Sequence, residues 1–451
     1  MTYKISYLNK AIICLSLLAG CMLQIQWDLF ETPVYAGLRF NLADFLLPVA
    51  GILITTSLFL KQSEWPVYKI AYTYGWLVAM TVVLLVSLYT GYAQQGQIPQ
   101  WGLQNKIAGW FVLIAYFLWG AWFAYNGKSI KIYKFFRIMT LFALIVCTIG
   151  SLVITAQDFH LLDGIIAYPF KGLMANRNAL GFLMLSVTTL VFFYGNTPKP
   201  LLGPGLEKFF WIMLPLIHVQ IGSRSCWILM ILQIAAFIFI NRQYFFKSVL
   251  PSFALGCAIV MLLTVIHNKP SEPHFIFKQR QNVQFVQLPG LLKQFSGQQE
   301  KNEIKLPADQ FPSDLLRLKV NGFAIELWSE SPILGAGLGT TQVEQPKRFG
   351  EFLDVIDSTP VWILCETGLI GIAIFGGFFW LIIFTLSREL KNPNKYIQTV
   401  NSLALGIFLT FAIMSVMHEL LYTRFMWFIL GIAITVPAAA IRMHQAKTDQ
   451  A

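Results

Sequence analysis

Five arginines and a few proton acceptors are the residues of this chain whose types and settings could do chemistry. The arginines are Arg39, Arg177, Arg224, Arg317 and Arg424, and the acceptors are Asp357, Glu366, His218 and His418. Arg224 is the sharpest case, since in GSRSCW it lies between two apolar stretches with almost no loop to hold it in water. An arginine at membrane depth costs about 2.5–3.5 kcal/mol on insertion scales, so such residues face an interior cavity and find partners there. A polyanion is the natural partner, because the planar guanidinium fork pairs with phosphate at two points and stays charged. Plainer roles exist for some of them. Arg39 and Arg424 lie near span ends and can snorkel to headgroups, and Arg177, flanked by Asn176 and Asn178 in MANRNALGF, can cap a helix and fix its loop. Arg224 and Arg317 are the least easily explained in those ways.

Among the acceptors Asp357 is the favoured base. In IDSTPVW it precedes Ser358 and stands just ahead of Pro360, which suits the first turn of a helix. It can equally serve as an N-cap. His418, in MHELLYTRFMW, is the second candidate or a hydrogen-bonding member of the bundle, while Glu366 reads as buried and paired, with an arginine as one candidate partner. No metal-ligand spacing is present, so neither a metal nor a cofactor is expected. The six cysteines fall in or beside apolar runs without a CxxC pair and read as small packing residues.

The elements that must position these groups are membrane helices. Of 451 residues, 56% are hydrophobic and only 12% charged, against about 25% charged in a soluble domain. Apolar runs long enough to cross a bilayer fall at about 10–27, 38–60, 67–93, 105–125, 132–155, 179–195, 206–221, 225–241, 247–266, 359–387, 398–418 and 425–441. The fold class is therefore all-α, a polytopic bundle of about twelve transmembrane helices. The first run lacks a small-residue cleavage pattern and reads as a retained span. The seventh is the weakest, being short and carrying Pro215 and His218.

With the N-terminus in the cytoplasm, the inside segments hold seventeen of the 33 basic residues but only four of the 22 acidic ones. The positive-inside rule then accounts for the net charge of +11, and no nucleic-acid partner is called for. The same topology puts all five arginines on the outer side. Three regions follow: 1–266 with nine spans, a large outer loop at 267–357, and 358–451 with three spans and a short cytoplasmic tail. Within the loop, Leu316, Val320, Phe323, Ala324 and Leu327 recur at helical spacing, which predicts an amphipathic helix on the membrane-proximal surface. SPILGAGLGTT, residues 331–341, predicts a turn bringing the chain back to the bilayer. Trp101, Trp110, Trp328 and Trp362 read first as interfacial anchors and second as sugar-stacking surfaces.

In their order and spacing these motifs resemble the O-antigen ligase and O-antigen polymerase superfamily over nearly the whole chain. MANRNALGF is similar to the family's Asn-rich entry to the sixth span, and GSRSCW to its Ser-Arg motif. Arg317 ahead of the Pro-x-x-Gly-x-Gly turn at Pro332 is similar to a further family arginine, and ETGLIG at 366–371 to the start of the tenth span. The resemblance implies an inner-membrane glycosyltransferase of lipopolysaccharide biosynthesis. Such enzymes move a glycan from undecaprenyl diphosphate to an acceptor on the periplasmic face, the acceptor being a lipid-linked repeat for a polymerase and lipid A core for a ligase. It also implies arginines on the diphosphate, for which Arg224, Arg317 and Arg177 stand in the matching motifs; Arg39 and Arg424, on the same side by topology, are further candidates, with Asn176, Asn178 and Ser358 in support. The family's ligases carry His-Asn where this chain has Asp357 and Ser358. That departure tips the expectation toward a polymerase and leaves the base between Asp357 and His418. A lipid-linked oligosaccharide flippase and a structural scaffold are the rival classes, weakened respectively by the asymmetric outer loop and by the outer arginines.

Overall fold

The computed structural model describes residues 7–28, 39–66, 70–162, 165–166, 169–267 and 313–448. Residues 268–312, about half of the expected outer loop, lie outside the described residues. The first nine helices are α1 (Tyr7–Met22), α2 (Leu46–Phe59), α3 (Ala71–Gln95), α4 (Ala108–Asn126), α5 (Ser129–Asp158), α6 (Arg177–Gly195), α7 (Pro204–Ile221), α8 (Arg224–Ile240) and α9 (Leu250–His267). Two helices of the long connection follow, α10 (Ser313–Glu330) and α11 (Thr340–Phe349), and then α12 (Thr359–Arg388), α13 (Lys395–Met417) and α14 (Arg424–Thr448).

Among the described residues nine helical stretches are long and apolar enough to span a bilayer; α1 and α8 are apolar but shorter. With α7, which carries Pro215 within it, these elements fill the twelve expected positions. The only departure from all-helical architecture among the described residues is a two-stranded antiparallel ladder, β1 (Gln26–Asp28) and β2 (Arg39–Asn41), pairing Trp27 with Phe40. All six cysteines are free.

Close packing depends on small residues, as expected where lipid leaves no hydrophobic drive between helices. A Cβ on Gly120 of α4 would lie 2.2 Å from the Phe428 carbonyl, and one on Gly431 of α14 2.1 Å from the Phe117 carbonyl, so these two helices meet backbone to backbone. Helix α6 is buried on nearly every face and forms the centre of the bundle.

The amphipathic helix exists as α10, with Val320, Phe323, Ala324 and Leu327 buried. Its apolar face rests on α12, and Phe323 packs edge-on against Phe349 of α11 at 5.4 Å; protein, and not only the membrane surface, covers it. The turn at 331–341 goes further than expected. Helix α12 is broken at Gly368 (φ 67, ψ −164), and the backbone groups freed there bond to the turn. Ala336 N–H donates to Cys365 O (2.8 Å), Gly337 N–H to Glu366 O (3.1 Å) and Leu369 N–H to Pro332 O (3.0 Å), while Leu338 N–H donates to Ser87 O of α3 (2.9 Å). A Cβ at Gly337 (φ 91) would stand 2.3 Å from the Gly91 nitrogen, and one at Gly368 2.3 Å from the Ile333 carbonyl, so both positions demand glycine for conformation and for space.

Candidate active site

The loops that share the β1–β2 end of the bundle enclose a cavity of about 560 Å³. Its wall carries Arg39, Asn176, Asn178, Asp357, His418 and Arg424, with Phe40, Phe45, Leu47 and Val112 forming an apolar flank between α2 and α4. Several helices point their N-termini at this end: α6 is capped by Asn176, whose side chain accepts from Ala179 N–H at 2.7 Å, α8 starts at Ser223, α12 at Ser358, and α14 at Arg424. Each such terminus carries roughly half a positive charge, and together they favour an anion.

Asp357 is the acidic centre. Its Oδ2 accepts from Arg317 Nε at 2.6 Å, with the two side chains 28% and 34% exposed. It also lies 3.6 Å from His418 Nδ1. Burial alone would raise the Asp357 pKa, but the contact with His418 and the charges of Arg317 and Arg39 outweigh it and bring the carboxyl below its ordinary value. Pro360 falls in the first turn of α12, as expected.

His418 is nearly enclosed and belongs to a closed circuit. Asn178 Nδ2 stands 3.1 Å from His418 Nδ1, and Ser225 Oγ 2.8 Å from Nε2. Ser225 Oγ lies 2.9 Å from Ser223 Oγ, which donates to Asn178 Oδ1 at 3.0 Å. Thr359 Oγ1 donates to the His418 carbonyl at 3.1 Å and so ties the start of α12 to the α13–α14 connection.

The five arginines separate into groups. Arg424 is spent on protein: Nε contacts both Asp44 oxygens (3.1 and 3.2 Å) and Nη2 donates to the Arg39 carbonyl at 2.7 Å. Asp44 in turn accepts from Tyr116 Oη at 2.8 Å and caps its own turn through Asn41. Arg39 is on the cavity wall, half-buried. Arg317 reaches the site through Asp357. Arg224 is exposed and does not line the cavity, although its neighbours Ser223 and Ser225 both belong to the His418 circuit. Arg177, half-buried at the start of α6, is also absent from the cavity wall.

Three placements differ from the sequence reading. Glu366 is fully buried and accepts from Thr341 Oγ1 (2.8 Å) and Trp362 Nε1 (2.7 Å), and the cation whose charge acts on it is Lys106, not an arginine. His218 is fully buried in α7 with Nδ1 on the Leu214 carbonyl (3.0 Å) and takes no part in the cavity. Trp110 and Trp362 are core residues, not interfacial anchors. Trp362, Trp101 and Tyr422 surround the buried Lys106 ammonium at 4.2, 4.4 and 4.8 Å, and Lys106 is paired with Glu419 on the cavity wall. A π-helical turn at Gly102–Ile107 turns this lysine inward. Gln345 of α11 is a further unforeseen member: its amide oxygen accepts from Leu353 N–H and its amide nitrogen donates to the Asp354 carbonyl, and so it holds the segment leading to Asp357.

A family model described as O-antigen ligase matches residues 209–376, a stretch that contains Arg224, Arg317, Asp357 and Glu366. A search of curated proteins finds no match.

Proposed function

We propose that this chain, whose residues 209–376 match a family model described as O-antigen ligase, is a membrane enzyme that joins a glycan carried on undecaprenyl diphosphate to an acceptor sugar at the cavity beside Asp357. The reaction runs on the periplasmic face of the inner membrane, with both termini in the cytoplasm. The observation that carries this reading is the meeting of an ionised carboxylate, Asp357, with guanidinium groups and helix N-termini in one cavity that also has an apolar flank.

In the proposed mechanism the acceptor hydroxyl oxygen attacks the anomeric carbon, the bond from that carbon to the diphosphate oxygen breaks, and Asp357 takes the hydroxyl proton. General base catalysis of this kind contributes about 10²–10⁴ in rate. Arg39 on the wall, with Arg224 and Arg317 from the rim, receives the charge that gathers on the leaving diphosphate, aided by the α6 and α14 N-termini. His418, enclosed beside Asp357 with Nδ1 3.6 Å from its Oδ2, orients Asp357, and Arg177, Asn176, Asn178 and Ser358 support the loops. Arg424 shapes the wall by holding Arg39 and Asp44. The arginines supply charge stabilisation without a divalent metal. The apolar flank suits the polyprenyl chain of a lipid donor, and Asp357 and Ser358 in place of His-Asn favour a polymerase over a ligase that uses lipid A core.

The test is a deletion strain's lipopolysaccharide gel complemented with point variants. A single-repeat band supports the polymerase, whereas bare core with accumulated lipid-linked polymer indicates the ligase. Near wild-type transfer by both Arg224→Ala and Asp357→Asn would refute the mechanism, and transfer that needs a sealed membrane would point to a flippase.

A further inference from the structure

A second cavity, of about 330 Å³, lies at the opposite end of the bundle from Asp357. It is framed by the start of α5, the end of α6 and the start of α13, whereas the active-site cavity meets the start of α6 and the end of α13. The 19 residues of α6 separate the two by about 28 Å.

We propose that this cavity binds a phosphate group. Its wall is cationic at the rim, with Lys199 and Lys395, and otherwise carries three tyrosines, Tyr133, Tyr194 and Tyr396, beside Ser129, Thr197 and Thr399. Helix α5, 30 residues long, begins at Ser129 on the same wall, and its cap residue Lys128 makes no side-chain hydrogen bond to the first turn. Lys131 N–H donates to the Lys128 carbonyl at 2.8 Å; the other first-turn N–H groups and the positive end of a long helix are offered to this space.

Two further groups point independently to a polar ligand. Tyr194 is only 5% exposed, lines the cavity, and its hydroxyl has no hydrogen-bond partner; the buried hydroxyl of Tyr396, on the same wall, has none either. A buried hydroxyl left unpaired is costly, and two on one wall are satisfied together by an acceptor with several oxygens. Tyr133 keeps the wall in shape, donating to the Pro200 carbonyl at 2.8 Å and packing edge-on against Tyr194 at 5.9 Å. Tyrosine hydroxyls, lysine ammonium groups and helix N–H groups are all donors, and a phosphate accepts from each kind. The phosphate comes either from an anionic lipid headgroup or from a soluble phosphate.

The experiment uses the full chain, purified and delipidated in detergent, with thermal unfolding followed against inorganic phosphate, short-chain phosphatidylglycerol, and phosphatidylcholine of the same chain length. A saturable rise in Tm with phosphatidylglycerol but not with inorganic phosphate identifies a lipid headgroup site; a rise with inorganic phosphate identifies a soluble one. In either case Lys199→Gln with Lys395→Gln weakens binding by tenfold or more and Tyr194→Phe by about tenfold, the latter for one lost hydrogen bond to a charged group. The ligand-free Tm of each variant reports folding, and the lysine pair carries the test should Tyr194→Phe not fold. No saturable response to either ligand, or a response the same in the lysine variant as in the parent, overturns the proposal.

Discussion

Arg317 and Asp357 meet at 2.6 Å, Nε to Oδ2, with His418 Nδ1 3.6 Å from the same oxygen. The helix that delivers Arg317 is anchored on α12, whose first turn follows Asp357, so the pair is fixed from both sides. Its electrostatic result is a carboxylate that stays charged below the ordinary range.

The pH dependence of transfer should show this. With Arg317 present, the acid limb of the rate profile falls below the usual carboxylate value of about 3.9. Arg317→Gln removes a charge that favours the ionised form, so the limb moves to higher pH. For stability, the folded-state pKa lies below the unfolded one, so the pair's contribution is present above about 3.9 and lost as pH falls through the lowered value. An acid limb that does not move in Arg317→Gln argues against Asp357 as the titrating base.

Asp357→Asn keeps the shape of the site and removes the proton acceptor. Transfer by the purified protein should fall by about 10²–10⁴, with only the modest drop in melting temperature that loss of the Arg317 pair brings. His418→Gln should cost less if His418 orients Asp357 and does not itself accept the proton; a larger loss than in Asp357→Asn exchanges their roles.

Arg39 and Arg424 share the wall yet should respond differently. Arg424 and Asp44 are 12% and 10% exposed, and removing one partner of a buried pair costs about 3–5 kcal/mol. Arg424→Ala and Asp44→Ala should therefore both destabilise the protein, and the double variant by less than the sum of the two. Arg39→Ala should instead lower transfer with little loss of stability. Thermal unfolding beside turnover separates the two patterns.

Lys106 and Glu419 form a second buried pair, with Lys106 fully enclosed and Glu419 17% exposed at the cavity. Lys106→Met leaves Glu419 without its cation and should destabilise by about 3–5 kcal/mol, whereas Lys106→Met combined with Glu419→Leu should recover most of that loss. Unfolding measurements that find the double variant no better than the single would show the pair is not the main source of the cost.

Much of this architecture was legible because membrane spans and amphipathic faces are local patterns. Leu316, Val320, Phe323, Ala324 and Leu327 announced α10 through their spacing, and Pro215 with His218 marked α7 as the unusual span. Helix α11 escaped because its polar sequence carries Pro346 within it and follows directly on the glycine turn. The cage around Lys106 escaped for a different reason. A lysine at the start of an apolar run reads as an interfacial residue, and the groups that enclose it, Trp101, Trp362, Tyr422 and Glu419, come from separate parts of the chain. The five arginines lie toward one end of the bundle, but whether each faces the cavity, a carboxylate or solvent depends on side-chain partners such as Asp44, which no spacing announces.

The break at Gly368 bears on how the enzyme works through time. Residues 332–338 are stitched to α12 at the break and to α3 at Ser87, so the segment between α10 and α11 is riveted to the membrane core and cannot serve as a swinging door. Helix α10, which ends just ahead of this segment and carries Arg317 to Asp357, is thereby tied to the span that follows Asp357.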